Sequence, residues 1–180
     1  SRPELAPDDV AGWAAQPFET LLILDGEQVA GAQLQSLRHR FTSLRKDISA
    51  LDALATREAI DGFDSLAEAA ALLFDHRVYK SYPMSIIEKR QFDRLTQWLR
   101  RLTTHDVTAI ALDGVTSVDG WIERLDQHGM IMLHSTGTTG KLSFLPRSRS
   151  EWPGWTESFF DALRAATGVD RRKDCLLYTS

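Results

Sequence analysis

The sequence holds a single cysteine, Cys175, so no internal disulfide can form. Nothing then argues for an oxidising compartment, and cytoplasm is the default location. No apolar run approaches the roughly 18–20 residues that a membrane-spanning helix needs. Residues 1–15 lack the basic and apolar regions of a secretory signal. An excess of positive charge is missing too. The formal net charge of -4 gives no general pull toward nucleic acid or an anionic membrane. There is no internal repeat, no low-complexity segment, and no Cys/His cluster with the spacing of a structural zinc site. What is present is ordinary for a globular protein: 180 residues, 43% apolar and 26% charged. That length fits one domain or a piece of a larger one. The chain starts at Ser1 and closes on Cys175 to Ser180, directly after the charged run Asp170 to Asp174. Residues 175–180 read as a non-native tail, and residues 1–174 as part of a longer protein.

Periodicity predicts a helix-rich α/β chain with few strands. Leu21 to Leu24 reads as a strand. Asp25-Gly26 then reads as a hairpin turn, with Glu27 to Ala30 returning. Leu34, Leu37, Phe41, Leu44, Ile48 and Leu51 form one helical stripe. Three heptads could make a coiled coil. The e and g positions carry no charge pattern, so an amphipathic helix on a core is preferred. Capping boxes are read at Ser65–Glu68, Ser85–Glu88 and Ser148–Glu151. The first opens a helix to about Phe74. The second opens one with Phe92, Leu95, Leu99 and Leu102 on its apolar face. Val107 to Leu112 reads as a strand ended by Asp113-Gly114. Ser117 to His128 reads as a helix with Trp121 or Ile122 and Leu125 inward, capped by Gly129. Met130 to Leu133 is a buried strand, and Leu142 to Leu145 a returning one. Trp152, Trp155, Phe159 and Leu163 line a last helix, which Gly168 ends. The two tryptophans read first as core and only secondarily as the wall of an acyl pocket.

Chemistry concentrates in the loop Ser135-Thr136-Gly137-Thr138-Thr139-Gly140-Lys141. Glycines let the backbone approach an anion and expose N–H groups to it. Hydroxyls add hydrogen bonds, and Lys141 adds a mobile positive charge. Those features suit polyphosphate. The loop is not a Walker A motif, because two residues separate Gly137 from Gly140 and Leu142 follows Lys141. No G-x-G-x-x-G is present. The plain alternative is a polar hairpin connection.

Met132-Leu133-His134-Ser135-Thr136-Gly137-Thr138-Thr139-Gly140-Lys141-Leu142 resembles the AMP-binding signature of the adenylate-forming superfamily. That group includes acyl- and aryl-CoA ligases, nonribosomal adenylation domains and firefly luciferase. The signature usually ends in Lys or Arg, where this chain has Ser143, leaving Lys141 as the motif's only cation. Phe144 to Trp152 looks like the phenylacetate–CoA ligase and acyl-protein synthetase branches. Leu22 to Glu27 with Gly31 to Leu34 looks like the opening of many adenylating domains. Residues 52–128 match nothing nameable. The resemblance implies that residues 1–174 are the N-terminal part of an AMP-binding ligase domain with a strand–loop–strand phosphate hairpin. It implies a two-step reaction, with a carboxylic acid activated by ATP and Mg2+ as acyl-adenylate and then passed to a thiol such as coenzyme A. Ser135, Thr136, Gly137, Thr138, Thr139, Gly140 and Lys141 would bind the departing phosphates. The family's Tyr/Phe-x-x-Thr-Glu segment, its ribose-binding aspartate and its C-terminal lid lysine have no match here. The chain alone is therefore expected to be inactive, with Mg2+ held by residues it does not contain.

Other residues are weighed against plainer roles. His134 is a substrate-side candidate, or a residue that packs at a strand end. Arg38, His39, Arg40, Arg45 and Lys46 read as a solvated helix face rather than a nucleic-acid patch. His76, Arg77 and Lys80 show no metal-ligand spacing. Two further readings compete with the ligase. One is a non-catalytic helical interaction module built on the Leu34–Leu51 stripe. The other is a degenerate adenylate-former that binds nucleotide without chemistry.

Overall fold

The computed structural model describes residues 6, 9, 12, 16, 20, 23–135 and 140–168. Their elements, in chain order, are α1 (Gly26–Leu44), α2 (Ser49–Arg57), α3 (Leu66–Ala69), α4 (Met84–Glu88), α5 (Phe92–Leu99), α6 (Val118–Gln127), β1 (Met130–Ser135), β2 (Ser143–Ser148) and α7 (Trp152–Thr167). Four short 3-10 turns join them, at residues 70–72, 78–80, 100–102 and 107–109. The architecture is mixed α/β and helix-rich, with one two-stranded antiparallel sheet among the described residues. No described helix is long and apolar enough to cross a membrane. The chain divides into two compact units, Leu37–Ser150 and a second made of Ser1–Ser36 with Glu151–Ser180.

The core of the Leu37–Ser150 unit lies where α5, α6 and the sheet meet. Phe92, Leu95, Leu99 and Leu102 share the expected face and are all buried. Trp121 and Leu125 of α6 join them, as do Met130 and Met132 of β1 and Phe144 of β2. Four aromatic rings form the centre. Phe144 lies 5.4 Å from Tyr82, 6.4 Å from Trp98 and 5.2 Å from Trp121, measured between ring centroids. These are tilted or edge-on pairs, the arrangement that ring quadrupoles favour. Buried indole N–H groups need acceptors, and both have them. Trp121 Nε1 donates to Thr96 Oγ1 at 2.9 Å, and Trp98 Nε1 to Ser81 Oγ at 2.8 Å.

Local signals place α6 and β1 as expected. Ser117 Oγ accepts the Gly120 N–H at 3.1 Å, an N-cap bond. Gly129 takes a φ of 84°, which reverses the chain from α6 into β1. A Cβ there would meet only His105 Nε2 at 3.6 Å, an ordinary contact. The strain of Gly129→Ala is therefore the backbone's own, about 1.5 kcal/mol for an L-residue forced left-handed. Urea unfolding is expected to show that loss as a lower midpoint with an unchanged slope.

Several expected elements form differently. Asp25-Gly26 makes no hairpin, and Glu27 to Ala30 is helical. The Asp25 carboxylate accepts the Glu27 N–H at 2.8 Å, and the Val29 N–H reaches the Asp25 carbonyl at 3.0 Å. Asp25 thus caps a helix instead of bending a strand pair, and Gly26 is not among the glycines with positive φ. Leu21 and Leu22 lie outside the described residues, while Ile23 and Leu24 are in a turn. The stripe from Leu34 to Leu51 is divided, because α1 stops at Leu44 and α2 starts at Ser49. Arg45 at the break binds Asp52 at 2.8 Å and Asp61 at 2.9 Å.

Val107 to Leu112 is not a strand. Asp106 Oδ1 accepts the Thr108 N–H at 3.0 Å and starts a 3-10 turn. That turn sends Val107 and Ile110 into the core on one side, as a three-residue period does. Of the three capping boxes only the first forms, with Ser65 Oγ accepting the Glu68 N–H at 3.1 Å. Its glutamate reaches one residue further back than expected, to the Asp64 N–H at 2.7 Å. Ser85 sits inside α4, which begins directly after Pro83. A left-handed Arg90, φ 53°, then separates α4 from α5. Ser148 is claimed by β2, so α7 begins after Glu151 with a proline in its first turn.

In the second unit α7 ends at Gly168, φ 71°, as expected. Its aromatics are not the core that was expected. Trp155 and Phe159 are 55% and 54% exposed, and they stack with Trp152 in a ladder along one face. Thr156 and Phe160, one position further on, are the buried pair.

Candidate functional site

β1 and β2 pair in register from Met130 opposite Ser148 to Ser135 opposite Ser143. The expected strand–loop–strand is thus present, and residues 136–142 connect its arms. The hairpin's inner face, with Met130, Met132 and Phe144, is sunk in the aromatic core, and Phe144 stands next to the loop. Its loop end carries His134 and Ser135, both exposed. Directly opposed residues share a face, so His134 lies beside Phe144 but beyond the core's edge. The candidate residues Thr136, Gly137, Thr138 and Thr139 lie outside the described residues. Ser135, Gly140 and Lys141 are brought to the same end of the hairpin. Gly140 is exposed with a φ of 73°, a conformation that favours glycine. Ser143, where the signature usually has a basic residue, is buried at 8% exposure. A lysine or arginine there would have to bury its charge at a cost.

Lys141 does not stand free. Its Nζ donates to the Tyr82 carbonyl and lies 4.7 Å from the centre of the Tyr82 ring. Tyr82 in turn donates its phenol O–H to the Leu142 carbonyl at 2.8 Å. Tyr82 is 1% exposed and stacks edge-on against Trp98. One buried tyrosine therefore grips two successive residues where the loop returns to β2. Nothing in the local sequence around Tyr82 signals this, since Lys141 and Leu142 are distant along the chain.

Burial pushes the Tyr82 phenol above its ordinary value of 10.0. The folded state holds this proton more tightly than the unfolded chain does. Tyr82 thus favours folding fully below about pH 10, and that contribution is lost as pH rises through the higher folded value. Alkaline titration of unfolding is expected to show this loss in the wild type and a smaller one in Tyr82→Phe.

Of the other charged candidates, Arg38, Arg45, His76 and Arg77 are paired. Arg38 donates to the Phe63 carbonyl at 2.7 Å and bonds Asp64. Arg45 holds its two aspartates, while Asp75 binds both His76 and Arg77. Hydrogen bonds from Arg77 hold the Asp75 carboxyl well below the usual carboxylate range. Each of these pairs is a surface interaction of small stability value. An open groove of about 270 Å³ lies at the start of α6, lined by Gly114, Thr116, Ser117, Glu123, Arg124 and Gln127 among others. None of the described loop residues lines it. Among the described residues no group of three or more His, Cys, Asp or Glu side chains is arranged to hold a metal ion. Comparison with protein-family models, curated proteins and solved structures finds no match for this chain.

Proposed function

We propose that the loop from Ser135 to Lys141 binds the polyphosphate of ATP in an adenylate-forming acid–thiol ligase. This chain supplies the phosphate half-site of that enzyme. A carboxylate attacks the α-phosphorus of Mg-ATP, and pyrophosphate leaves. A thiol such as coenzyme A then attacks the acyl carbon, and AMP leaves. The loop's part is to hold the departing pyrophosphate, a charge-stabilising role. Its backbone N–H groups and the hydroxyls of Ser135, Thr136, Thr138 and Thr139 donate hydrogen bonds, with Gly137 and Gly140 allowing close approach. Lys141 supplies the positive charge, and His134 faces the substrate side.

The observation that carries this reading is the hairpin itself. A glycine- and hydroxyl-rich loop with one lysine hangs from two paired strands whose inner face, Met130, Met132 and Phe144, is sunk in the buried core. A site on such a support is held more firmly than one on a free loop. The interaction-module reading loses ground because its stripe is divided at residues 45–48. Calorimetric titration of magnesium pyrophosphate into the chain tests the proposal. Saturable binding that weakens with added salt is expected. Absence of binding at millimolar ligand would remove the loop from any phosphate role.

A further inference from the structure

We infer that Tyr82 is the positioning residue of this loop, setting where the Lys141 ammonium stands before any anion arrives. The inference rests on the phosphate-loop reading and adds a residue from outside the loop to it. Three contacts carry it. The Tyr82 hydroxyl donates to the Leu142 carbonyl, the Tyr82 carbonyl accepts from Lys141 Nζ, and the Tyr82 ring faces that same ammonium at 4.7 Å. Tyr82 is itself wedged between Trp98 and Phe144, at 5.1 and 5.4 Å, so it cannot drift with the loop. An ammonium has three N–H donors. One is spent on Tyr82, and the others remain for an incoming phosphate oxygen. The lysine is thereby held at the base of the loop at little further entropic cost on binding, which is how preorganisation raises affinity.

The test is competitive acylation of the purified chain with acetic anhydride, read by mass spectrometry. The rate at Lys141 is divided by the rate at Lys89, which is exposed. Tyr82→Phe keeps the ring and the backbone carbonyl but frees Leu142. With Leu142 released, the adjoining Lys141 leaves the Tyr82 carbonyl more often, and the Lys141/Lys89 ratio is expected to rise by at most about fivefold, the factor to which one hydrogen bond of ordinary net strength corresponds. Ser81→Ala is the control for general loosening. It removes the acceptor of the Trp98 indole next door but makes no contact with Lys141, so its ratio is expected to match the wild type. An unchanged ratio in Tyr82→Phe, or an equal rise in Ser81→Ala, overturns the inference. Inorganic pyrophosphate is then added to the wild type and is expected to slow labelling at Lys141. If it does not, the phosphate-loop reading is what falls, and the hold of Tyr82 on Lys141 is judged by the ratio alone.

Discussion

Phe144→Ala is expected to destabilise the Leu37–Ser150 unit by about 4 kcal/mol, the usual cost of truncating a fully buried phenylalanine. Phe144 is 0% exposed and touches three other aromatic rings. Deleting it leaves a void that those stiff rings cannot close by rotating. Domains of this size are stable by roughly 5–15 kcal/mol, so the loss is a large share of the total. Thermal unfolding followed by near-UV circular dichroism should show a fall of roughly 15 °C in the melting temperature. Leu73→Ala is the contrast, because Leu73 is 75% exposed. It should shift the midpoint little, as surface changes generally do. Equal effects from the two would mean that the rings do not form the core described. The position also matters for function. Phe144 is the β2 residue opposite His134, so the ring that seals the core sets the seat of the loop.

Lys141→Met should weaken pyrophosphate binding by about 30-fold, equivalent to about 2 kcal/mol for a lost hydrogen bond to a charged group. Methionine keeps most of the side chain's length and apolar contact but removes the charge and all three donors. The fold should survive, because Lys141 is half-buried at the loop's base and not a member of the core. Calorimetry reads the affinity, and a melt reads the fold. Affinity equal to the wild type would show that Lys141 contributes nothing to the anion site. Arg147 serves as the comparison cation, since it is exposed on β2 beyond the loop. Neutralising it as Arg147→Gln should cost far less, since it acts only through screened solvent.

How much of this was legible depended on whether a signal was local. The helix start at Ser117, the Gly129 reversal, the β1 run and the Gly168 stop each depend on a few adjacent residues, and each formed. The face of Phe92, Leu95, Leu99 and Leu102 followed from spacing alone. Asp25-Gly26 was misread because one dipeptide serves two purposes, and helix capping by the Asp25 carboxylate prevailed over the hairpin turn. Val107 to Leu112 has strand composition, yet the Asp106 side chain captured Thr108 and closed a 3-10 turn first. Ser85 and Ser148 had capping spacing but were taken up by α4 and β2. At the candidate site, the hairpin and the Lys141 position were readable from the motif. Tyr82 was not, because its hold on Lys141 and Leu142 is made only when distant segments fold together. The α7 aromatics show the remaining weakness of spacing. Trp155 and Phe159 fall on one stripe and Thr156 and Phe160 on the next, and periodicity does not say which is buried.

The central claim is that the residue 135–142 connection between β1 and β2 is the phosphate site. Backbone amide mapping by 1H–15N NMR during a pyrophosphate titration tests it most directly. Saturating shifts are expected at the amides of Ser135 through Leu142, with smaller ones at Tyr82. Shifts confined to the groove at the start of α6, from Gly114 to Gln127, or no shifts at all, would contradict it.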